Sequence, residues 1–344
     1  MRTILTTVGA SLLTNARRDE REHDLANYLR HTPADKASAE TNSLSRLLQE
    51  DDRIVFLHSD TDEGKLCAET LRSFYSNQGY QAEVVPVPDL NYTESRFKMR
   101  GLRSLVATMI KQIQNECKAG RKVLINATGG FKAEIAYATL VGLLFNVPVY
   151  YIHEAFRDII EMPPTPIKWD YSLIADYEKF FEWIGTDLRP SDEVERRLRG
   201  LSDRDKIHLL LIDEEGYTYL SPAGEAYYHA YRGNILSQPG DEVLLSSKAR
   251  DTYQSADPST RECFEHVLRN LSHAELRRNQ IESVRDGDCL VYPRGHRDER
   301  VVFYEQDGKV YVCELTRHSD QSYERLIAGR VLRANYSDFT PWNG

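Results

Sequence analysis

The segment KVLINATGGFKAEIAYATLVGLLFNVPVYYIH, residues 122–153, contains a complete strand–helix–strand pattern. Its apolar run at 122–128 is typical of a short buried strand, and Gly129 and Gly130 then turn the chain. Residues 131–145 have the length and composition of a buried helix, and 147–153 return as a second strand. Two strands joined by a crossover helix pair in parallel, so this segment predicts an α/β sheet.

The same alternation extends over residues 1–170. Further buried strands are predicted at 3–9, 53–59 and 82–88, and further helices at about 35–50, 64–78 and 95–119. Three prolines within 162–170 end the pattern. We therefore predict a parallel sheet with helices on both faces, of the α/β class.

Composition and charge limit the class of protein. The chain has 344 residues, 41% of them hydrophobic, with 44 basic and 53 acidic side chains and a net charge of −9. This length suggests two or three domains. The longest apolar run, 136–152, is shorter than the roughly 20 residues of a membrane span, and no secretory signal opens the chain. The five cysteines lack metal-type spacing, so we expect reduced thiols, a cytoplasmic location and no membrane.

The predicted order of helices and strands divides the chain into three domains, 1–170, 171–236 and 237–344. The middle one reads as helices, a hairpin turned at Glu215-Gly216 and a final helix capped near Ser221, with Ser191 as an earlier N-cap. This order is winged-helix-like. Its 8 basic and 13 acidic residues give a net charge of −5, which disfavours sequence-specific DNA binding and favours a linking or dimerisation element.

Polar and glycine residues follow two of the predicted strands. Gly9 and Ser11 follow the first strand, whereas Asn126 and Thr128 end the strand before the Gly-Gly turn. In an open parallel sheet, ligands bind beyond such strand ends, and a helix N-terminus beside Lys132 favours an anion. A tight turn without a ligand is an equally simple interpretation. The sequence contains neither GxxxxGK[ST] nor GxGxxG, which disfavours an ordinary nucleotide-hydrolysis or dinucleotide site.

Three segments in this order, TILTTVGASLLTN, ASAETNSLSRL and INATGGFKAEIAYATLVGLL, resemble the CRISPR-associated Rossmann-fold (CARF) sensor domain over about residues 1–165. The resemblance implies that two protomers form one symmetric pocket for a cyclic oligoadenylate. Cyclic tetra-adenylate is the commonest ligand of the family, and cyclic hexa-adenylate stays open. The pocket residues that the resemblance implies are Gly9, Ser11, Leu12, Asn126, Thr128, Gly129, Gly130, Phe131 and Lys132.

Arginines gather late in the C-terminal segment, although that segment is acidic overall. Arg300 opens a predicted strand, and Arg317 ends its hairpin partner beyond the turn at Asp307-Gly308. Antiparallel pairing would bring both guanidinium groups to one end of the sheet, with Tyr323 on the next turn. Such a group suits an RNA phosphate undergoing transfer, whereas an ordinary solvated face is the simpler interpretation.

Two segments, VLLSSKARDTYQSADPSTRECFEHVL and RVVFYEQDGKVYVCELTRHSDQSY, resemble the RelE family of ribosome-dependent mRNA interferases over about residues 240–335. The resemblance implies an α+β domain with an antiparallel sheet. It also implies that Arg300 and Arg317 stabilise the phosphorane and that Tyr323 stacks on the RNA or helps to activate the 2′-hydroxyl.

One feature departs from the RelE pattern, because the strand before Arg300 lacks the lysines that the family often has there. Arg294 and Arg297 are candidate substitutes, and His296 or His318 is a candidate acid–base group near neutral pH. Attack by a 2′-hydroxyl needs no metal, so we expect no catalytic metal or other cofactor. Arg269 and His273 are the residues that a different, Arg-x-His type of ribonuclease would use, in a context with little support.

Together these features predict a homodimeric, cyclic-oligoadenylate-activated endoribonuclease of type III CRISPR defence that cuts message on the ribosome. In this interpretation, 1–170 is the sensor, 171–236 the linker and 237–344 the ribonuclease. The rival interpretation is a non-enzymatic CARF and winged-helix transcriptional regulator. Slow ring cleavage of the activator at the sensor, aided by Lys132 and Ser11, is compatible with the first interpretation.

Overall fold

The computed structural model describes residues 1–91, 99–152, 158–284, 287–294, 297–319, 323 and 331–343. The chain forms two compact units. Unit 1 comprises residues 1–169, 182–199 and 205–230, and unit 2 comprises 170–181, 200–204 and 231–344. Residues of the middle segment thus belong in part to each unit. The three predicted domains, with boundaries at 170 and 236, stay a prediction.

The first part of unit 1 alternates strands and helices as predicted. Its elements are β1 (Arg2–Val8), α1 (Ser11–Arg18), α2 (Leu25–His31), α3 (Ala34–Ala37), α4 (Ala39–Leu47), β2 (Arg53–Ser59), α5 (Asp62–Ser76), β3 (Gln81–Val87), α6 (Arg100–Lys118), β4 (Lys122–Asn126), α7 (Lys132–Phe145), β5 (Val149–Tyr151) and β6 (Ile160–Met162). Residues 95–98, the start of the predicted helix 95–119, lie outside the described residues.

The six strands of this part form one sheet in the order β3-β2-β1-β4-β5-β6. All neighbours pair in parallel except β5 and β6, which are antiparallel. The predicted mixed α/β class is confirmed. The chain runs outward from β1 to β3 on one side and from β4 on the other, so the strand order reverses between β1 and β4. Open α/β sheets place their ligands at the carboxyl ends of such a pair.

Burial explains why these segments fold as they do. Six of the seven residues of β1 are buried, as are six of the seven of β2, as expected for central strands covered on both faces. The apolar run 136–152 divides into α7 and β5, with Asn146 in the left-handed region at φ 57° ending the helix. Within the described residues, no helix is both long and apolar enough to cross a bilayer.

The residues that follow form short helices and a small sheet. They are α8 (Ser172–Asp176), α9 (Glu178–Thr186), β7 (Arg189–Pro190), α10 (Ser191–Leu198), α11 (Arg204–His208), β8 (Leu211–Glu214), β9 (Tyr217–Leu220) and α12 (Pro222–Tyr231). The three strands pair in the order β7-β9-β8. The predicted hairpin is present, with Glu215 and Gly216 at φ 51° and 82°. The likeness to a winged helix stays a prediction.

The two predicted helix caps in this stretch have different outcomes. The Ser221 hydroxyl accepts a hydrogen bond from the Gly224 amide at 2.9 Å, which confirms it as a cap. Ser191 was predicted as an N-cap but is the first residue of α10, whose N-cap position is occupied by Pro190. The Ser191 hydroxyl instead accepts a hydrogen bond from the hydroxyl of Thr218 on β9 at 2.9 Å.

Unit 2 is built on an antiparallel hairpin that the sequence predicted. Its elements are β10 (Glu242–Leu245), α13 (Ser247–Ser255), α14 (Pro258–Ser272), α15 (Ala274–Asn279), β11 (Glu282–Ser283), β12 (Leu290–Tyr292), β13 (Glu299–Gln306), β14 (Lys309–Arg317) and β15 (Thr340–Pro341). The strand order is β11-β12-β13-β14-β10-β15, with β10 parallel to β14. Asp307 and Gly308 turn the β13–β14 hairpin at φ 52° and 73°.

Two apolar clusters cover this second sheet. Val301 and Phe303 pack with α14 residues such as Phe264 and Leu268, whereas Val302 packs in a separate cluster with Tyr323. The predicted closing helix, 322–336, lies largely outside the described residues, and its last residues form a single turn at Arg333–Asn335. The five cysteines are free thiols, as expected.

Candidate functional site

The carboxyl ends of β1 and β4 lie side by side in unit 1. Thr6 pairs with Asn126 in the register, so the chain leaves both strands at the same edge. The loop after β1 and the turn after β4 then touch: a Cβ added to Gly9 would lie 2.7 Å from the Gly130 amide nitrogen. Only glycine at position 9 permits this approach. The two predicted glycine segments therefore form one continuous surface.

The Gly-Gly turn leads directly into α7. The Thr7 hydroxyl donates to the Gly129 carbonyl at 2.5 Å, and Gly130 has φ 100°, a conformation that strongly favours glycine. Phe131 is the N-cap of α7, and the carboxyl group of Glu134, which is 1% exposed, lies against the turn: a Cβ added to Gly130 would overlap Glu134 Oε2. Lys132 is exposed and so is half of Phe131. Backbone amides and a lysine at a helix start favour an anion, whereas the Glu134 carboxyl group beside them opposes one.

Beneath this surface lies a carboxyl group that is completely buried. Glu40, the second residue of α4, is 0% exposed. Its Oε1 accepts from the Gly9 amide at 2.8 Å, and its Oε2 accepts from the Ser11 hydroxyl at 3.0 Å. Burial raises the pKa of the Glu40 carboxyl, and its hydrogen bonds, that from Gly9 first, oppose the shift.

These contacts change the assignment of Gly9, Ser11 and Leu12. The Gly9 amide donates to Glu40, and the Ser11 hydroxyl both donates to Glu40 and accepts from the Ala39 amide at 3.0 Å. Both groups are thus hydrogen-bonded within the protein, which also weakens the suggestion that Ser11 assists ring cleavage. Leu12 is 0% exposed and belongs to the hydrophobic core, so its side chain does not line a pocket.

Asn126 and Thr128 are likewise engaged inside the protein. The Asn126 amide donates to Ser43 Oγ at 2.8 Å, and the Thr128 hydroxyl donates to Asn126 Oδ1 at 2.8 Å. Thr128 also accepts from the Ile152 amide at 3.2 Å. These two residues hold β4 against its neighbours. Of the predicted ligand-binding residues in unit 1, Gly130, Phe131 and Lys132 are exposed, whereas Ser11 and Thr128 are half-buried.

Glu40 was missed by the sequence analysis. It lies within ASAETNSLSRL, a segment that carried the family resemblance without a role for this residue. The local signal was a glutamate just after a helix start: Ser38 and Thr41 form a capping box around it. Nothing in the spacing indicated that α4 would place the carboxyl group under a loop some 30 residues earlier.

A cavity of about 880 Å³ opens at the next strand ends, those of β2 and β3. It begins one strand away from the glycine surface, because His58 pairs with Val8 in the register. Its lining contains four acidic residues and one lysine, a balance that would repel phosphate groups. The lining residues are His58, Asp60, Thr61, Asp62, Glu63, Lys65, Glu69, Val84, Pro86 and Asn91.

In unit 2, the register corrects the predicted arginine pair. Arg300 pairs with Thr316, and Arg317 pairs with Glu299, so both arginines reach the same end of the sheet. Side chains alternate along a strand, however, and paired residues share a face. Arg300 therefore lies on the face of Val302, and Arg317 on the face of Leu315. The two guanidinium groups do not converge on one point.

The environments of these two arginines also differ. Arg300 is buried and donates to the backbone carbonyls of Arg297 and Glu299, the latter at 3.1 Å. The Arg317 side chain is 42% exposed and forms an ion pair with Asp298 at 2.8 Å. Partial burial would raise the pKa of Asp298, but hydrogen bonds from Ser319 and Arg317 outweigh it and lower that pKa. Arg317 faces solvent, whereas Arg300 supports the backbone.

The remaining predicted catalytic residues are dispersed. Tyr323 is 8% exposed within the apolar cluster, with its ring 5.0 Å from that of exposed His318. Arg294 is exposed. Arg297 forms an ion pair with Asp176 at 3.2 Å. His296 lies outside the described residues. Among the predicted catalytic residues that the structure describes, His318 lies beside Tyr323, and Arg300 donates to the Arg297 carbonyl.

A second imidazole forms a polar cluster that the sequence analysis did not identify. His266 Nε2 lies 3.1 Å from Arg297 Nη2, and His266 Nδ1 lies 3.1 Å from Arg269 Nη2. Burial, with the charges of Arg297 and Arg269, lowers the pKa of His266 to about 3, so the ring is neutral. Arg269 therefore contacts His266 and also forms an ion pair with Glu178.

The comparisons with known proteins place part of unit 1 in a family context. Residues 35–165, a little over a third of the chain, match the family model described as CRISPR-associated protein (Cas_APE2256). The matched range contains both Glu40 and the turn from Gly129 to Lys132. This match supports a CRISPR-associated assignment for that part of the chain.

Two solved structures resemble the chain weakly. One is protein VC1899 from Vibrio cholerae, at 9% identity and a TM-score of 0.28, covering 92% of this chain and 77% of that one. The other is Can2 from Sulfobacillus thermosulfidooxidans in complex with cyclic tetra-adenylate, at 11% identity and a TM-score of 0.25, covering 95% and 84%. Scores this low support no argument about fold or function.

Proposed function

We propose that residues 1–170 bind a cyclic oligoadenylate, with cyclic tetra-adenylate as the first candidate. The observation that carries this proposal is the joined edge of β1 and β4, where the start of α7 lies beside exposed Lys132. Phosphate groups would bind there, because backbone amides and a lysine favour anions. The acidic cavity beyond His58 would leave space for uncharged parts of the ligand.

A cyclic ligand built of repeated units suits a site that occurs twice around a two-fold axis. We therefore propose a homodimer in which each protomer contributes one copy of this surface. Activation requires that the ligand bind the active state more tightly than the resting state. Residues 171–236, with their net charge of −5, would transmit that difference and would not bind DNA.

We further propose that residues 237–344 cut messenger RNA on the ribosome, in the cytoplasm, once the sensor is occupied. In this reaction the 2′-hydroxyl oxygen attacks the adjacent phosphorus and loses its proton. The bond from phosphorus to the 5′-oxygen breaks, and that oxygen takes a proton. The products are a 2′,3′-cyclic phosphate and a 5′-hydroxyl end. No metal takes part.

The contacts within unit 2 support revised roles for the predicted catalytic residues. Arg317 is the better candidate for the phosphate because it is half-exposed and ion-paired at the surface, where RNA could replace Asp298. Arg300 would hold the backbone before β13. His318 beside Tyr323 is the candidate for a proton transfer, with exposed Arg294 as a further contact.

The test is in vitro translation with and without cyclic tetra-adenylate, with the 5′ ends of cleaved message mapped. We expect cleavage only with the ligand and only in ribosome-bound message. Lys132→Ala should require more ligand, whereas Arg317→Ala should bind ligand normally and cleave far more slowly. Lys309→Ala is the matched control, since it removes a cation at the other end of the same strand. Equal cleavage of free and ribosome-bound RNA would contradict the proposal.

A further inference from the structure

One buried side chain joins three segments of unit 1 that are distant in sequence. Glu40 lies on α4, its two oxygens accept hydrogen bonds from Gly9 and Ser11 after β1, and it also bounds the turn after β4. A Cβ added to Gly129 would overlap Glu40 Oε1. The loop, the helix and the turn therefore share one carboxyl group as their common contact.

Burial of such a carboxyl group costs free energy. Desolvation disfavours it, and an apolar side chain of similar volume would fill the space at lower cost. An apolar residue, however, would leave the buried Gly9 amide without its acceptor, and the loop would lose its attachment to α4. The hydrogen bonds, rather than the volume, explain why a glutamate fits here.

We propose that Glu40 is a positioning residue for the anion-binding surface: it holds the β1–α1 loop at a fixed distance from the Gly129–Lys132 turn. The contact between Gly9 and Gly130 supports this role, because movement of the loop would open that contact. Glu40 itself is 0% exposed and would not touch the ligand. This inference rests on the proposed function of residues 1–170.

Two variants separate hydrogen bonding from packing. Glu40→Met keeps a linear side chain of similar length and removes both acceptors. Glu40→Gln keeps an acceptor for the Gly9 amide and can donate to Ser11 Oγ. We expect Glu40→Gln to bind cyclic tetra-adenylate within about threefold of the wild-type protein, and Glu40→Met to bind about tenfold more weakly or worse, as for the loss of a charged hydrogen bond.

Glu116 provides the matched control at the opposite end of β1. It is also a buried glutamate, at 3% exposed, and it accepts from the Thr3 hydroxyl and from Arg121. Glu116→Met should lower the melting temperature and leave the affinity for cyclic tetra-adenylate unchanged. An equal loss of affinity in Glu40→Met and Glu116→Met would overturn the proposal, because both effects would then reflect stability.

A second measurement needs no ligand and so distinguishes this inference from the proposed function. Hydrogen–deuterium exchange of the peptide that contains Gly9 should be faster in Glu40→Met than in the wild-type protein and in Glu40→Gln. If the wild-type protein does not bind cyclic tetra-adenylate, the proposed ligand is wrong, while the exchange rates still decide the positioning role. Unchanged exchange in Glu40→Met would refute that role.

Should Glu40→Met fail to fold, Ser11→Ala provides the same test with less disruption. It removes the hydrogen bond to Glu40 Oε2 and leaves the Gly9 contact in place. We expect faster exchange around Gly9 and a several-fold weaker affinity for cyclic tetra-adenylate. Wild-type values for both measurements would count against the proposal.

Discussion

Gly9→Ala should separate the two halves of the proposed site. The new Cβ would lie 2.7 Å from the Gly130 nitrogen and 3.2 Å from its Cα, whereas ordinary contact begins at 3.4 Å. The loop and the turn must therefore move apart by 3.4 − 2.7 = 0.7 Å, and both partners are backbone. Gly9 is not in the left-handed region, so the alanine causes no dihedral strain of its own.

Overpacking of this kind typically costs about 1–3 kcal/mol. If the ligand must restore the original spacing, its affinity should fall by a factor of about 5–150, since about 1.4 kcal/mol corresponds to a factor of ten. Isothermal titration of cyclic tetra-adenylate measures this change, and thermal unfolding measures the accompanying loss of stability.

Gly79→Ala is the control for stability alone. Gly79 has φ 94° with nothing within 4 Å of an added Cβ, so this substitution strains the backbone without any clash. It should lower the melting temperature of unit 1 and leave ligand affinity unchanged. A Gly9→Ala protein with wild-type affinity would refute the reasoning that the two glycine segments act as one site.

Four further predictions follow from the same structure. Lys132→Ala should weaken cyclic tetra-adenylate binding by about 1–3 kcal/mol in a calorimetric titration, with an unchanged melting temperature because Lys132 is exposed. Arg317→Ala should slow message cleavage by about 10²–10³, with Lys309→Ala near the wild-type rate in the same assay. Because residues 171–236 have a net charge of −5, the full chain should not retard duplex DNA on a gel at physiological salt; retardation would favour the transcriptional-regulator interpretation. The pKa of His266 is about 3 in the folded protein and 6.5 ordinarily, so the unfolded chain binds the proton first as pH falls. The free energy of unfolding should therefore decrease by up to about 1.4 kcal/mol per pH unit between pH 6.5 and 3. The difference between urea midpoints at pH 7 and pH 5 should be smaller in His266→Gln than in the wild-type protein.

Features that depend on neighbouring residues could be predicted from the sequence. The Asp307-Gly308 and Glu215-Gly216 turns need two residues in the left-handed region, and both dipeptides adopt it. Short apolar runs between helical stretches predicted the parallel strands, because a strand covered on both faces has few polar residues. That the loops after β1 and β4 lie at the carboxyl edge of the sheet was also predicted, since parallel strands end on one side, whereas the contact between Gly9 and Gly130 was not.

Only the tertiary structure decided which side chains of distant segments face each other. Arg300 and Arg317 reach the same end of a sheet, but one step of register places them on opposite faces, and no local pattern determines that step. Glu40 is the clearer case. By itself the sequence determined a helix there and a glycine loop some 30 residues earlier; packing alone brought the carboxyl group to Gly9 and Ser11. The physical reason is that hydrogen bonds between distant segments depend on how whole elements pack, which composition and spacing do not encode locally.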